Sequence, residues 1–573
     1  MIALLAAAIL LPLALAALLP ARATRTAALA VAPWAPLPAL GLALFGTPGV
    51  TLEAPWLLLG ARFGLDTTAR IFLFFTAALW LSAGIYARTY LAADPRRARF
   101  AGFFLLSLAG NFGLILAQDV ASFYLFFALM TFSAYGLVVH DGSTAARRAG
   151  RVYLVMAVLG EALLLTGFVL LVHAAGTLDI LRAATAIATA SASDTIVAML
   201  LAGFGVKAGA VLLHLWLPLA HPVAPTPASA VLSGAIIKAG LLGWLRFLPL
   251  GAGAFPDLGT LVIVAGLIAA FYAVAVGVTQ RDAKVVLAYS SVSQMGLMTV
   301  GVGAGLLAPQ AWPALLPAVT LYALHHAFAK ASLFLGVGVA AQGGGARRWM
   351  LLGQVLPALA LAGAPLTSGA FAKTHLKESL AMLPAPWPDW LAWLLPLAAV
   401  GTSVLMIRFL FIAASARSPT RAVVPGLWLG WSLLWLFWLL GLAWLAWAAP
   451  WVRSPERFAY ALMPAALWAS SWPVVAATLI AGLAMLPISR SALRRVPPIP
   501  PGDLLVPIER ALRWFAAARD HVVQIPAVHL APVLASWPLV NFARMEGRLR
   551  SWSVAGVALL MLLGLFAFLL AHG

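Results

Sequence analysis

The chain has 573 residues, of which 63% are hydrophobic and only 9% are charged, and it contains no cysteine. Soluble domains are about 45–50% apolar and about 25% charged, so a water-soluble fold could not hide this much apolar surface. This composition, with a mean hydropathy of +1.00, predicts an all-α polytopic membrane protein. The lack of cysteine excludes disulfides and cysteine-bound metal or iron–sulfur centres.

Apolar runs of about 18–25 residues predict about sixteen transmembrane helices. The first run, residues 1–20, is apolar enough to be a signal peptide. It lacks a basic start and is followed by Arg22 and Arg25, so we interpret it as the first span. The other spans are expected near residues 27–47, 67–88, 99–117, 119–139, 152–174, 195–215, 226–249, 258–279, 285–305, 314–341, 350–376, 388–413, 424–448, 465–488 and 552–571.

The net charge of +19 comes mainly from arginines in short loops, and arginine-rich loops alternate with arginine-poor ones. This alternation is typical of the positive-inside asymmetry and argues against a nucleic-acid partner. It predicts a multi-pass protein of the cell inner (cytoplasmic) membrane, with the N-terminus outside and the first loop in the cytoplasm. The basic loops hold Arg22 and Arg25; Arg88, Arg96, Arg97 and Arg99; Arg147, Arg148 and Arg151; Arg281 and Lys284; Arg347 and Arg348; Arg417 and Arg421.

Two of the predicted helices are interrupted by helix-breaking residues. The first break holds four prolines between residues 218 and 227, and the second holds glycine and proline between residues 363 and 369. Broken helices are tolerated inside a membrane only where protein or water satisfies the freed backbone groups. Two breaks about 150 residues apart, each near a lysine, indicate two structural repeats, although the spacing also fits two loops between ordinary helices.

Several ionisable side chains lie inside the apolar segments, where a cationic group costs a few kcal/mol to bury. Lys207 and His214 are two helical turns apart and share a face, as do His326 and Lys330 at i, i+4. A line of such groups, bridged by water, can pass protons in steps. For a single lysine, the alternative is a structural charge that pairs with a neighbouring carboxylate or carbonyl. The candidate proton-translocation residues are Lys207, Lys238, Lys330, Lys373, His325, His326, His214 and Glu161.

Glu161 is the acidic member of this set and lies well inside an apolar segment. It is a candidate partner for Lys207, because a carboxylate stabilises a buried ammonium. The alternative is a packing carboxyl that stays protonated. Asp282 and Lys284 stand at a predicted helix start, where we interpret them as capping residues. The sequence has no P-loop, no HExxH motif and no nucleophile triad, so we predict no cofactor, no metal site and no active site of its own.

At these positions the sequence resembles the antiporter-like subunits of respiratory complex I, of Mrp-type cation antiporters and of energy-converting membrane hydrogenases. The matching stretches are KAGAVLLHLWLPLAHPVAPTPASAVLSGAIIKAG, LAYSSVSQMG, ALHHAFAKASLFL and LAGAPLTSGAFAK. The resemblance runs from about residue 66 to residue 377. It implies about fourteen core helices, two inverted five-helix repeats that each contain a broken helix, and a midplane axis of lysines and histidines.

By motif position, the resemblance implies that Lys207 and Lys373 are the lysines of the two broken helices. It places Lys238 on the helix after the first break, with His326 and Lys330 as the central relay. One position departs from the family pattern. Family members carry a glutamate in a stretch like FYLFWELMT, whereas this chain has FYLFFALMT. The usual lysine–glutamate pair of the first repeat is therefore missing, and either Glu161 or a partner subunit substitutes, or the first repeat conducts differently.

The predicted organisation follows from these patterns. Residues 490–551 combine apolar residues at helical spacing with arginines, which is typical of an amphipathic helix at a membrane surface. The predicted divisions are N-terminal transmembrane helices at 1–98, a first antiporter-like repeat at 99–250, a second repeat at 251–415, C-terminal transmembrane helices at 416–489, a cytoplasmic-side amphipathic segment at 490–551 and a final transmembrane helix at 552–573.

The leading hypothesis is a proton- or cation-translocating membrane subunit without a redox centre, part of an ion-translocating oxidoreductase or antiporter complex. The predicted partners are other membrane subunits, the lipid bilayer, and protons or sodium. The alternative is a structural or coupling subunit of an inorganic-carbon uptake or other gradient-driven complex that does not itself pump. Ala128, which replaces the family's glutamate, favours the alternative. The sequence distinguishes neither proton from sodium nor the direction of flow.

Overall fold

The structure is a computed structural model that describes residues 1–341, 347–415, 424–448, 463–484, 486, 499–507, 509–511 and 514. The chain divides into a unit of Met1–Pro501 and a unit of Gly502–Gly573, and the helices and strands named below belong to the first. The predicted amphipathic segment at 490–551 and the final span at 552–573 lie almost wholly or wholly outside the described residues.

The described part of the first unit is a bundle of α-helices with one short β-hairpin. The strands are β1 (Thr51–Ala54) and β2 (Ala61–Gly64), paired antiparallel. The helices are α1 (Ile2–Leu18), α2 (Arg22–Val31), α3 (Leu37–Phe45), α4 (Thr67–Tyr90), α5 (Arg97–Leu116), α6 (Val120–Val138), α7 (Thr144–Ala175), α8 (Ile180–Ala186), α9 (Ser193–Ala208), α10 (Leu217–Val223), α11 (Thr226–Val231), α12 (Ile237–Phe247), α13 (Pro256–Gly277), α14 (Ala283–Leu307), α15 (Trp312–Ala340), α16 (Arg347–Ala362), α17 (Ser368–Leu380), α18 (Trp387–Ser415), α19 (Pro425–Ala448) and α20 (Pro464–Ala484).

Within the described residues, 12 helices are long and apolar enough to cross a membrane. The predicted all-α polytopic class is confirmed, whereas the predicted count of about sixteen spans is not. Part of the difference comes from the broken segments, because α9 and α16 have 16 residues each and α17 has only 13. The N-terminal α1, with 17 residues, also falls short of a full span. The predicted span at 552–571 lies outside the described residues.

Both predicted helix interruptions are present. In the first, α9 ends at Ala208, and Gly209 follows with a φ of +71°, a left-handed conformation that glycine adopts without strain. In the second, α16 ends at Ala362, and Gly363 follows with a φ of +86°. Thr367 then caps the start of α17. The breaks fall within the predicted first and second repeats, whose boundaries stay a prediction.

A third irregularity lies directly after the first break. Residues Leu232–Ile236 form a π-helical turn between α11 and α12. A π-turn widens the helix locally and redirects backbone carbonyls away from their usual partners, and such turns are frequent at functional sites. No sequence pattern had indicated it.

The β-hairpin was not predicted, and it organises one end of the bundle. The Arg62 N–H donates to Asp119 Oδ2 at 2.7 Å, and Arg62 Nη1 donates to Asp179 Oδ2 at 2.9 Å. Nearby, Arg246 Nη2 pairs with Asp66 Oδ2 at 2.9 Å. The bonds of Arg62 join the hairpin to the α5–α6 loop and to the start of α8, and the Arg246–Asp66 pair joins the last turn of α12 to the start of α4. The charge pattern assigns all these segments to the outer side.

The opposite end of the bundle is held by a second set of contacts. His140 Nε2 and Asp94 Oδ2 are 3.1 Å apart, which joins the α6–α7 loop to the α4–α5 loop. Burial raises the pKa of the Asp94 carboxyl, but hydrogen bonds from the Arg96 N–H and His140 outweigh it and bring the pKa below its usual value. At the same end, Lys284 Nζ donates to the Ala224 carbonyl at 2.8 Å. The charge pattern assigns the loops that these contacts join to the cytoplasmic side, which stays a prediction.

Candidate functional site

Lys207 lies buried in the last turn of α9, where three aromatic rings surround its ammonium group. The Nζ atom is 5.8 Å from the ring centre of Phe127, 5.1 Å from that of Tyr153 and 5.9 Å from that of Trp216. It also donates to Tyr153 Oη at 3.1 Å, and that hydroxyl donates to the Thr131 carbonyl at 2.7 Å. We call Phe127, Tyr153 and Trp216 the aromatic cage. Rings in this position stabilise a cation, and the effect grows when water is excluded.

Glu161 faces this lysine from α7. Its side chain is buried and interacts electrostatically with Lys207, although the two do not form a direct ion pair. The close approach of α7 and α9 has a local cause. A Cβ at Gly160 would lie 3.1 Å from Val206 Cβ, and one at Gly203 would lie 3.1 Å from the Gly160 carbonyl oxygen. Small residues at both positions therefore let the helices pack closely and bring the carboxyl toward the ammonium.

Ala128, which stands where the family carries glutamate, is fully buried on α6 beside Phe127 of the aromatic cage. The charge that the family would place there is absent, and the local environment of Lys207 consists of aromatic faces, one hydroxyl and the more distant Glu161. The cage was missed at the sequence level. Its members come from three segments of the chain, and only Phe127, next to the missing glutamate, gave a signal.

Lys238 lies at the start of the helix that follows the π-turn, and only 1% of its surface is exposed. Its Nζ donates to the Ser233 carbonyl at 2.5 Å, inside the π-turn. The Ser233 side chain in turn contacts Ser291 Oγ on α14 at 2.8 Å. The π-turn therefore supplies the acceptor that holds the ammonium of Lys238.

The central helix α15 carries three of the predicted residues, all fully buried. Lys330 Nζ donates to the Leu287 carbonyl of α14 at 2.7 Å. His325 Nδ1 lies 2.8 Å from Ser368 Oγ at the start of α17, so it reaches the second break. Within the described part of the chain, neither ring nitrogen of His326 has a hydrogen-bond partner, and this ring interacts electrostatically with Lys238, Lys330 and His325.

Lys373 completes the row at the second break. Its Nζ donates to the carbonyls of Leu361 and Ala362, at 2.8 Å and 2.9 Å. These are the last carbonyls of α16, and the negative end of a helix favours a cation. His325 interacts electrostatically with Lys373 and with Lys238. The residues linked in this way, which we call the basic axis, are Lys238, His326, Lys330, His325 and Lys373.

The structure therefore brings five of the eight predicted residues into one network and leaves Glu161 with Lys207 as a separate pair. His214 lies in the first break, with its ring 5.7 Å from that of Tyr272 and 6.5 Å from that of Tyr289. The described residues show no hydrogen bond or ion pair that joins Lys207 directly to Lys238. Each lysine donates to a carbonyl or a hydroxyl, so the structural pairing considered for a single lysine is present alongside the network.

Two further polar groups of this region were missed or misinterpreted. His221 is fully buried near the end of α10 and interacts electrostatically with Lys284, Lys330 and Lys238. It went unnoticed because it stands among the prolines of the first break. Asp282 caps α14, as predicted, by accepting from the N–H groups of Lys284 and Val285. The Lys284 side chain, however, reaches the first break. No cluster of three or more metal-binding side chains occurs among the residues that the structure describes.

A helical membrane bundle with two broken helices and a row of lysines and histidines is the arrangement that the resemblance implied. The family model described as NADH:quinone oxidoreductase/Mrp antiporter, transmembrane, matches residues 117–395. This match confirms the resemblance that the motifs indicated. The matched residues contain Lys207, Glu161 and the whole basic axis.

Individual proteins with names from the same family are also similar to this chain in sequence or in fold. The chain is 30% identical over 304 residues to hydrogenase-4 component B of Escherichia coli K12, which covers 51% of this chain and 45% of that protein. It is 29% identical over 360 residues to a Staphylococcus haemolyticus protein named as antiporter subunit mnhA2, covering 58% and 45%. The chain thus spans less than half the length of these relatives. The structure of the Mrp complex from Dietzia sp. has the same fold, with a TM-score of 0.73 at 23% identity over 97% of this chain and 62% of that chain.

Proposed function

We propose that the chain is a proton- or cation-translocating subunit of a larger membrane complex and that it moves protons through the basic axis. The observation that carries this proposal is the network formed by the buried lysines and histidines of α12 and α15 with the half-buried Lys373 of α17. In the described part of the chain, none of the groups that interact electrostatically with these residues is an acidic side chain. Ionisable residues inside membrane segments are rare, and they mark ion pathways and proton relays.

The mechanism follows from the closeness of like charges. A proton that binds one member of the basic axis raises the free energy of protonating its neighbours. Lys330 and Lys238 interact in this way, and His326 interacts with both. A change of charge or conformation at one end can therefore displace protons along the axis. The carbonyls of Ser233, Leu287 and Leu361 hold the ammonium groups in place while the protons exchange.

The proposed partners are other membrane subunits of a complex embedded in the cytoplasmic membrane, with the N-terminus outside. This is supported by the relatives, whose names describe a hydrogenase component, an antiporter subunit and an Mrp complex. The alternation of basic and non-basic loops supports the orientation. Translocation of sodium instead of protons fits the same family.

A second candidate function is a structural or coupling subunit of an inorganic-carbon uptake or other gradient-driven complex. The observation that favours it is Ala128, which leaves Lys207 without the acidic partner usual in the family. In that case a partner protein would use an existing ion gradient, and this chain would not pump protons through the basic axis.

One experiment separates the two functions. The tagged chain is purified from its own membrane, its co-purifying subunits are identified, and the complex is reconstituted with a pH-sensitive dye inside the vesicles. Redox or antiporter subunits, together with an uncoupler-sensitive dye response on turnover, would support translocation. A soluble catalytic partner whose turnover consumes a gradient and generates none would overturn it.

The proposed function predicts that replacing Glu161 changes the pH dependence of transport. Glu161→Gln removes the negative charge that stabilises protonated Lys207, so the lysine should hold its proton only at lower pH. We expect the pH profile of coupled transport to move toward lower pH, with a severalfold loss of rate at neutral pH. Glu161→Asp should retain part of the activity. The exposed Glu378 provides the control as Glu378→Gln, and an unchanged profile in Glu161→Gln would contradict the assignment.

The C-terminal region provides another prediction, although most of it lies outside the described residues. Its basic amphipathic sequence between two predicted spans indicates a segment that braces neighbouring subunits along the cytoplasmic face. Removing residues 503–573 should loosen the complex while the core helices remain inserted. Subunit retention during detergent purification measures this, and a truncated chain that holds its partners as tightly as the intact one would show that the segment does not brace.

A further inference from the structure

A cavity of about 250 Å³ lies between α2, α4 and α5, and none of the residues of the basic axis lines it. On α2 it is lined by Thr26, Leu29 and Ala30, at i, i+3 and i+4, so one face of that helix turns toward it. On α5 it is lined by Phe100 and Phe104, whose rings stack with centres 5.6 Å apart. We call this space the N-terminal cavity.

The N-terminal cavity follows from an interruption in a membrane span. The segment Arg22–Phe45 is long and apolar enough to cross a membrane, but one turn of 3₁₀ helix at Ala32–Trp34 divides it into α2 and α3. This turn packs on α4 at Gly84, where a Cβ would lie 3.1 Å from Pro33 Cα. On the side of this contact that leads to the basic loops, the cavity separates α2 from α4 and α5.

The cavity reaches the protein surface at two arginines. Arg88, in the last turn of α4, and Arg97, in the first turn of α5, line the cavity and are exposed. The loop between these helices has one acidic residue, Asp94, which pairs with Arg96 and His140. Neither arginine of the cavity forms an ion pair in the part of the chain that the structure describes, so both charges are open to an anionic ligand.

These features select a ligand that is apolar at one end and anionic at the other. The volume is several times the roughly 30 Å³ share of one water molecule, but an ordered water needs about 2–4 polar partners. Away from the two arginines, the lining side chains are apolar except for Thr26, so an alkyl chain fits better than water. Arginine binds phosphate through paired hydrogen bonds. A free phosphate would use the arginines alone and leave the apolar walls without a role.

We propose that the N-terminal cavity binds an acyl chain of an anionic phospholipid from the cytoplasmic leaflet, with the lipid phosphate on Arg88 and Arg97. The positive-inside pattern places these arginines at the level of the headgroups on that side, where basic pockets between membrane helices bind anionic lipids. The acyl chain fills the space between α2 and the two longer helices and stabilises their packing. The site is independent of the basic axis and does not depend on proton translocation.

Photo-crosslinking in vesicles tests this site. The complex that contains the full chain is reconstituted in phosphatidylcholine vesicles with a trace of phosphatidylglycerol that carries a diazirine in one acyl chain, and labelled residues are identified by mass spectrometry. We expect labels on Leu29, Phe100 and Phe104. Phosphatidylcholine with the same diazirine should label them about fivefold less or weaker still. Equal labelling by the two lipids would show ordinary contact with bulk lipid, and no labelling by either would show that a partner subunit covers the cavity. Each of these results would overturn the proposal.

Variants test the two halves of the site separately. Replacing both arginines, as Arg88→Gln with Arg97→Gln, should lower labelling by phosphatidylglycerol about fivefold for each arginine removed. The matched control is Arg147→Gln with Arg151→Gln, which removes the same charge from exposed positions at the start of α7 and should leave labelling unchanged. An equal loss in both double variants would reduce the site to a general effect of surface charge and overturn it.

The apolar half is tested by Ala30→Trp, which fills the cavity from an exposed position of α2 and so spares the buried core. Labelling of Phe100 and Phe104 by phosphatidylglycerol should then be lost, while the complex still co-purifies with its partner subunits. Labelling that persists in Ala30→Trp would place the lipid outside the cavity and contradict the proposal.

Discussion

Replacing Lys238 by alanine should abolish proton translocation by the reconstituted complex, with a loss of about 100-fold or more. Lys238 interacts with Lys330, His326 and His325, so its removal breaks the basic axis at the end nearest the first break. Lys238→Met should have the same effect, since it keeps most of the side-chain volume and loses only the exchangeable proton. The measurement is dye-reported acidification per turnover of the partner subunits.

The control for this experiment is Lys377→Ala. Lys377 is an exposed lysine near the C-terminal end of α17, one turn beyond Lys373, and its replacement removes the same charge from the chain. It should leave translocation unchanged. Co-purification of the partner subunits with Lys238→Met shows that the complex still assembles. Normal acidification by an assembled Lys238→Met complex would remove Lys238 from the proton path and the basic axis with it.

The features predicted correctly from sequence are those that depend on local chemistry. Clusters of proline and glycine disfavour a continuous helix, so the two interrupted helices could be predicted from the chain alone. The first interruption begins earlier than predicted, because α9 ends at Ala208, before the prolines at residues 218–227. The buried cations could be identified in the same way, because an ionisable residue in a long apolar run is costly wherever the run packs. The capping of α14 by Asp282 also depends only on neighbouring residues, so the sequence was enough to predict it.

The features that were missed depend on contacts between distant segments. The strands of the β-hairpin are four residues each, which is the shortest run in which alternation can predict a strand, and Arg62 of β2 bonds to Asp119 and Asp179 far along the chain. The aromatic cage around Lys207 likewise joins α6, α7 and the first break. Sequence spacing cannot show such groupings, because the distances between helices are set by packing.

The sequence also could not show which of the candidate residues lie close together. Periodicity placed Lys207 and His214 on one face, yet the helix ends between them at Ala208, so the periodicity does not apply. The link from Lys238 to Lys330 joins α12 with α15, which lie far apart in the chain. Lys284 was interpreted as a capping residue because its backbone does take part in the cap, while its side chain extends to the first break.

Substituting valine for Gly240 should prevent normal assembly of the core. A Cβ at this position would lie 2.6 Å from the Ala208 nitrogen and 2.6 Å from the Phe204 carbonyl oxygen, both backbone atoms of α9. Backbone atoms inside a helix cannot move individually, so α12 and α9 would have to separate at the first break. Overpacking of this kind costs about 3 kcal/mol or more where the surroundings cannot relax.

The separation would also disturb the site, because Ala208 is the neighbour of Lys207 and Gly240 lies two residues beyond Lys238. We therefore expect Gly240→Val to lower the yield of folded protein severely and to lower the thermal midpoint in detergent, measured by size-exclusion chromatography after heating. Gly482→Ala is the matched control. A Cβ at Gly482 of α20 meets no atom within 4 Å, so this change should be neutral or slightly stabilising through the better helix propensity of alanine. A Gly240→Val protein with the yield and midpoint of the unmodified chain would show that α9 and α12 are not packed backbone to backbone at this position.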